Sequence, residues 1–135
     1  MSADPVDTTT IWTGGFAQFC RVDDREAFTI DSDLTDVELA SFPCAYSTAE
    51  RMLDKIALEA GERVLITGTS GGVGSAAIQL AKRRGVEVVA VASSSKWGAL
   101  KPFGPNLLLD RTADLVAELG TKSVDVVADV VAGPK

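Results

Sequence analysis

An α/β fold built on a doubly wound parallel sheet is what this 135-residue sequence predicts. Three observations make that prediction. From position 64 onward, short apolar runs alternate with stretches of helical periodicity. The apolar runs are continuous, as strands covered on both faces require, and do not alternate apolar with polar. Between the first such run and the helix after it lies ITGTSGGVGSA, Ile66 to Ala76, with Gly68, Gly71, Gly72 and Gly74 in eleven positions.

The elements follow in order. Residues 1–10 are polar and acidic and read as a disordered lead-in. Phe16 to Val22 has strand character, with Gly14-Gly15 as a turn ahead of it. Thr35 and Glu38 have capping-box spacing and open a short helix over Thr35 to Leu39, which Pro43 is expected to stop. A second helix carries Ala49, Met52, Leu53, Ile56 and Ala57 on one face and ends by Gly61. Val64 to Thr67 is the first buried strand. The following helix presents Val73, Ala76, Ala77, Leu80 and Ala81, and Gly85 closes it. Lys82, Arg83 and Arg84 fall in its last turn, where positive charge complements the helix dipole. Val86 to Ala92 is the second strand. A weak helix from Lys96 to Leu100 is broken by Pro102. Leu107 to Leu109 is the third strand, Ala113 to Leu119 a helix, and Val124 to Val131 the fourth strand.

Charge and composition narrow the function classes. A formal net charge of −6 opposes general attraction to nucleic acid or to an anionic membrane. No apolar run approaches the roughly 18 residues that span a bilayer, and the opening lacks the apolar core of a signal peptide. A cytoplasmic protein acting on a small-molecule substrate is the expectation. With two cysteines and no histidine, the usual zinc ligand sets are missing. Elemental analysis after dialysis against a weak chelator is expected to find no stoichiometric zinc. A stoichiometric zinc would give Cys44 a ligand role.

The glycines fall where a buried strand turns into an amphipathic helix. There the first backbone N–H groups of the helix have no partner and its positive end faces outward, so a phosphate is favoured. Side chains would hold a pyrophosphate away from those groups. Two spacings are readable. Gly71 and Gly74 match the last two glycines of G-x-G-x-x-G, with Thr69 in the first position. Alternatively Thr67, Gly68, Gly72 and Gly74 fit T-G-x-x-x-G-x-G, which resembles the short-chain dehydrogenases. That family begins with this strand and needs a downstream Tyr-x-x-x-Lys, whereas the single tyrosine here, Tyr46, lies upstream. The short-chain reading fails.

Four blocks, GGFAQFCRV, LASFPCAYSTAERML, AGERVLITGTSGGVGSAAIQLAKRRG and VDVVADVVAG, together resemble the medium-chain dehydrogenase/reductases, nearest to their zinc-independent, quinone-oxidoreductase-like branch. The resemblance runs from about Trp12 to Gly133. It implies a partial Rossmann-type doubly wound sheet of about four strands, preceded by a short remnant of the GroES-like catalytic domain. Residues 11–45 would be that remnant with its connecting segment. Residues 46–135 would be the dinucleotide-binding domain, without its last strands. On that reading the chain is a fragment.

The resemblance also implies roles for particular residues. It places a pyrophosphate over Gly71, Gly72, Val73 and Gly74, with Thr69 and Ser70 in the same loop, and it presses Val73 against a nicotinamide ring. Thr48 matches a position beside the nicotinamide. A local reading also exists, because Ser47 and Glu50 form an S-x-x-E capping box in which Thr48 only fills the first turn. Cys44 matches a zinc-ligand position of zinc-dependent members, and the simpler reading is a small buried residue. Cys20 reads as sheet packing.

Cofactor choice is read after the second strand, where NAD-specific sheets place an acid about 20 residues after the first glycines. Here the segment is Val91-Ala92-Ser93-Ser94-Ser95-Lys96, and the next acid is Asp110. Ser93, Ser94 and Lys96 therefore point to NADP(H), although serines before a lysine also suit an ordinary helix cap. The expected activity is hydride transfer to a carbonyl or an activated C=C bond. The alternative is a non-catalytic dinucleotide-binding fragment. No general acid is identifiable. The fourth strand would keep one edge open, so the chain is expected to form homo-oligomers through that edge or by adding a partner's Phe16–Val22 segment.

Overall fold

The computed structural model describes residues 22–131. The expected lead-in, Cys20 and all but the last residue of the Phe16–Val22 strand lie outside them, and Val22 itself is exposed and not in a strand. The chain divides into two units, Met1–Asp33 and Leu34–Lys135. In the first, residues 22–33 are exposed and carry one 3-10 turn, Asp24–Glu26, capped by Asp23 through the Arg25 amide.

The second unit opens with helix α1, Asp36–Lys55. Its capping box is closed, since Thr35 Oγ1 accepts the Glu38 amide and Glu38 Oε2 accepts the Thr35 amide at 2.8 Å. The Thr35 hydroxyl also donates to Glu38, and these bonds hold the Glu38 carboxyl below its ordinary value. The break expected at Pro43 does not occur, for α1 runs through it as one helix. An interior proline costs about 3 kcal/mol by removing a donor and crowding the carbonyl one turn back. The exposed surroundings of Pro43 let water serve the freed carbonyl, and the helix is fixed at both ends. The capping box holds one end, and burial of Ala49 and Leu53 against α2 holds the other. Ser47 is consequently no cap. It sits inside α1 and its hydroxyl donates to the Pro43 carbonyl. Glu50 turns instead to Arg84, whose Nη2 also donates to Asp54, at 2.7 and 2.6 Å. α1 ends at Lys55, earlier than the periodicity through Ala57 predicts, because Ala57 takes a left-handed conformation (φ 49°).

Strands β1 (Arg63–Ile66), β2 (Glu87–Val91), β3 (Leu107–Leu109) and β4 (Val126–Ala128) form one parallel sheet in the order β3-β2-β1-β4. Helix α2 (Gly72–Arg83) connects β1 to β2. After β2 come a 3-10 turn (Ser94–Lys96), α3 (Trp97–Leu100) and a further 3-10 turn (Lys101–Phe103) that contains Pro102. α4 (Leu115–Leu119) follows β3. It begins two residues later than expected because Asp114 caps it, accepting the amides of Val116 and Ala117.

The core lies on both faces of the sheet. Val64, Ile66, Val88 and Ala90 face Ala49, Leu53, Ala77, Ile78 and Ala81 of α1 and α2. Leu65, Val89, Val91 and Leu109 face Leu115, Leu119 and Val124. Small alanines on α2 let the helix lie close to the strands.

β4 is three residues long, not the eight expected from Val124 to Val131. Aspartates bracket it. Asp125 accepts the Arg63 amide at 2.7 Å, and Asp129 accepts the Thr67 hydroxyl and the Val131 amide. At the first end the Asp125 amide still donates to the Arg63 carbonyl at 2.9 Å. Past Ala128 the Val130 and Val131 amides turn instead to the Thr67 and Asp129 side chains, a known competition of short polar side chains with the ladder. No helix among the described residues is long and apolar enough to cross a membrane.

Candidate functional site

The carboxyl ends of β1, β2 and β4 meet the amino end of α2, which is the crevice where open α/β sheets bind ligands. The loop between β1 and α2 is tied down on both sides. Thr69, fully buried, donates from Oγ1 to the Val91 carbonyl at 2.9 Å. Thr67 donates to Asp129, and its Oγ1 accepts the Val130 amide at 3.3 Å. Thr69 is thus an anchor to β2 whose hydroxyl turns into the protein.

The glycines divide their work. Gly68 has φ +64°, and a Cβ there would lie 2.6 Å from Val131 Cγ2. A Cβ on Gly74 would meet the Gly68 carbonyl oxygen at 2.4 Å and Thr69 Cα at 2.7 Å, so Gly74 lets α2 pack on the loop. Gly71 is the N-cap, and its own N–H is spent on the Gly68 carbonyl. The amides of Gly72, Val73 and Gly74 have no hydrogen-bond partner among the described residues, and the first bond into the helix is Ser75 N–H to Gly71. Three outward N–H groups at the positive helix end form a cradle that fits a diphosphate.

Two cavities open at this loop. One, of about 320 Å³, is lined by Thr67, Gly68, Ser70, Val91, Ala92, Ser93, Arg111 and Val131. The other, of about 590 Å³, is lined by Thr48, Arg51, Met52, Lys55, Ile56, Val73, Asp129 and Val130. The structure therefore brings Ser70 and Ser93 together in one cavity, and Thr48 and Val73 in the other. Ser94 and Lys96 are exposed and line neither. A third cavity, of about 500 Å³, lies by Tyr46, Leu80 and Arg83, away from the strand ends.

Arg111 was not singled out in the sequence. It follows β3, and a parallel neighbour of β2 must end where β2 ends, so strand order was the signal that could have found it. Asp110 likewise reaches the serine turn. Its Oδ2 accepts the Ser94 amide at 2.8 Å, and its Oδ1 accepts the Thr112 hydroxyl and amide at 2.7 and 3.0 Å. The Thr112 hydroxyl above all, then the two amides, lower its carboxyl to about 2. Cys44 is exposed, contrary to the buried reading. It shares an exposed row of α1 with Thr48, Arg51 and Lys55, turned from the Ala49–Leu53 face that packs on α2. Among the described residues no three Cys, Asp or Glu side chains converge on a metal position.

Comparison with known proteins adds to this geometry. No family model matches the chain. It is 37% identical over 125 residues to polyketide synthase GfsB of Streptomyces halstedii, covering 91% of this chain and 2% of that one. Among solved structures, the quinone oxidoreductase of Coxiella burnetii is 37% identical with a TM-score of 0.68, over 74% of this chain and 32% of that one. The CurK enoyl reductase is 36% identical with a TM-score of 0.68, over 74% and 32%. The chain thus spans about a third of these oxidoreductases and a small part of the synthase. Four parallel strands in the order β3-β2-β1-β4, a glycine loop opening α2, and these likenesses together place the chain in the medium-chain dehydrogenase/reductase family, as part of its Rossmann-like cofactor domain.

Proposed function

We propose that the chain is the cofactor-binding part of an NADP(H)-dependent oxidoreductase that reduces a carbonyl or an activated C=C bond of a small molecule. The observation that carries this reading is the 320 Å³ cavity. It holds Ser93 and Arg111 beside the glycine loop, and among the described residues no carboxylate lines it. A planar guanidinium with a neighbouring hydroxyl suits a 2′-phosphate, whereas an acid there would favour a ribose hydroxyl.

In this reading the amides of Gly72, Val73 and Gly74 hold the diphosphate, and Ser93 and Arg111 take the 2′-phosphate. Val73 and Thr48 border the nicotinamide end, in a cavity whose wall combines apolar Met52, Ile56 and Val130 with charged Arg51, Lys55 and Asp129. The cofactor supplies a hydride when bound. Polarisation of the substrate falls to hydrogen bonds or water.

The parent chain is expected to bind NADPH more tightly than NADH in a fluorescence titration. Lys96→Ala, at an exposed position flanking the cavity, should weaken NADPH by about 1 kcal/mol at most and leave NADH unchanged, a smaller loss than at Arg111. Arg111→Ala, inside the cavity, should cost NADPH about 2 kcal/mol. Equal affinity of the parent for both cofactors would sink the reading. The alternative of a non-catalytic dinucleotide-binding fragment draws on the chain's spanning only 32% of the two oxidoreductases. NADPH binding without turnover of any carbonyl or enoyl substrate separates the two.

A further inference from the structure

Residues just beyond neighbouring parallel strands lie side by side, however far apart they are in sequence. Val91 pairs with Leu109, and the Ala92 amide closes the β2–β3 ladder on the Leu109 carbonyl at 3.1 Å. The next residue, Asp110, therefore meets the serine turn 16 positions before it. A carboxylate at this end of β2 has two chemical options. Left free, it accepts a ribose 2′-hydroxyl and repels a 2′-phosphate. Bound to donors of the protein itself, it is spent as an acceptor and orders whatever donates to it.

Asp110 is in the second state. Its two oxygens receive the Ser94 amide, the Thr112 amide and the Thr112 hydroxyl, all between 2.7 and 3.0 Å. The first bond pins the Ser94–Lys96 turn at the point where it leaves β2. The other two, with the Ala113 amide donating to the Asp110 carbonyl at 3.0 Å, fix the turn that carries Arg111. One side chain thus holds both segments that line or flank the 320 Å³ cavity, without lining it itself.

We propose that Asp110 is a positioning residue for cofactor choice, its carboxylate clamping the Ser93–Lys96 and Asp110–Ala113 turns so that Ser93 and Arg111 face a ligand's 2′-phosphate. This rests on the NADP(H) reading above. It assigns an acid beside the ribose end a role favouring phosphate, opposite in sign to that of a free acid there.

The sign is measurable. Binding of 2′-phospho-ADP-ribose and of ADP-ribose to the full chain gives a preference ratio that a general loss of folding would not change selectively. Asp110→Asn keeps the side-chain volume, removes the charge, and leaves an amide group that cannot accept from both turns. The ratio is expected to fall about tenfold, through the 2′-phosphorylated ligand, with ADP-ribose held within about twofold. An unchanged or higher ratio overturns the role of Asp110 while leaving the NADP(H) reading standing. A parent chain with no preference overturns that reading and this role with it.

A second pair of variants decides the matter if Asp110→Asn does not fold. Ser93 has ψ 138°, which suits a residue before proline, and Ser94 opens the 3-10 turn, where proline is accepted. Ser94→Pro removes the amide donor and so frees one Asp110 oxygen from the clamp, whereas Ser94→Ala keeps that amide and removes only the hydroxyl's weaker interaction with Asp110. The proline variant is expected to show the lower ratio, and equal ratios overturn the proposal.

Discussion

Gly74→Ala is expected to destabilise the chain by about 3 kcal/mol and to abolish nucleotide binding. The added methyl would stand 2.4 Å from the Gly68 carbonyl oxygen, 2.7 Å from Thr69 Cα and 2.9 Å from Gly68 C. All three are backbone atoms of a loop that the Thr69 and Thr67 hydroxyls tie to β2 and to the end of β4. No flexible side chain can give way, so α2 must lift off the loop. Overpacking typically costs 1–3 kcal/mol, and a backbone clash belongs at the upper end of that range. Lifting α2 also pulls Ile78 and Ala81 from the sheet and spreads the three free amides. A fall in Tm of about 10 °C should accompany the change. Gly71→Ala is the control. Its Cβ would meet only the Gly68 oxygen at an ordinary 3.6 Å, and its backbone is extended, so stability should stay within about 0.5 kcal/mol. Gly74→Ala unfolding within 1 kcal/mol of the parent would show that α2 is not seated as described.

The second expectation is self-association through β4, abolished by Val127→Pro. Among the described residues β4 pairs only with β1, and Val127 is 56% exposed. Thr67 donates to the Ala128 carbonyl and the Val130 amide turns to Thr67, so the even-numbered groups of β4 face β1. Alternation along the strand points the Val127 N–H and C=O away from the sheet. Such an edge is a template for another strand. We expect dimers or larger species in sedimentation at micromolar concentration. Proline at 127 removes an outward donor, costs no bond to β1, and is tolerated on an edge, so the variant should sediment as a folded monomer. A parent chain that is monomeric at high concentration, or a Val127→Pro chain that still associates, would rule this edge out as the interface.

Much of the sheet was legible in the sequence. Val64–Ile66, Val88–Val91 and Leu107–Leu109 are continuous apolar runs, and only burial on both faces gives such runs a reason. The glycine cluster at a strand-to-helix junction marked the α2 cradle, since the need for backbone approach is written in residue type. α1 was read less well. A local rule about proline predicted two helices, and tertiary packing of Ala49 and Leu53 on α2 held one. β4 was overread because Val124 to Val131 is apolar apart from Asp125 and Asp129, without any sign that these would turn their carboxylates on Arg63 and Thr67.

The sequence by itself determined the strand and helix types, the glycine-rich strand-to-helix loop, and the lack of histidine, because each depends on local periodicity or on composition. Only the tertiary structure decided which glycines are steric necessities, and that Arg111 lines the cavity of Ser93 while Asp110 is consumed by Ser94 and Thr112. Those facts depend on strand order. Hydrogen bonding sets β3 beside β2, and so joins residues that sequence separation alone gives no reason to pair.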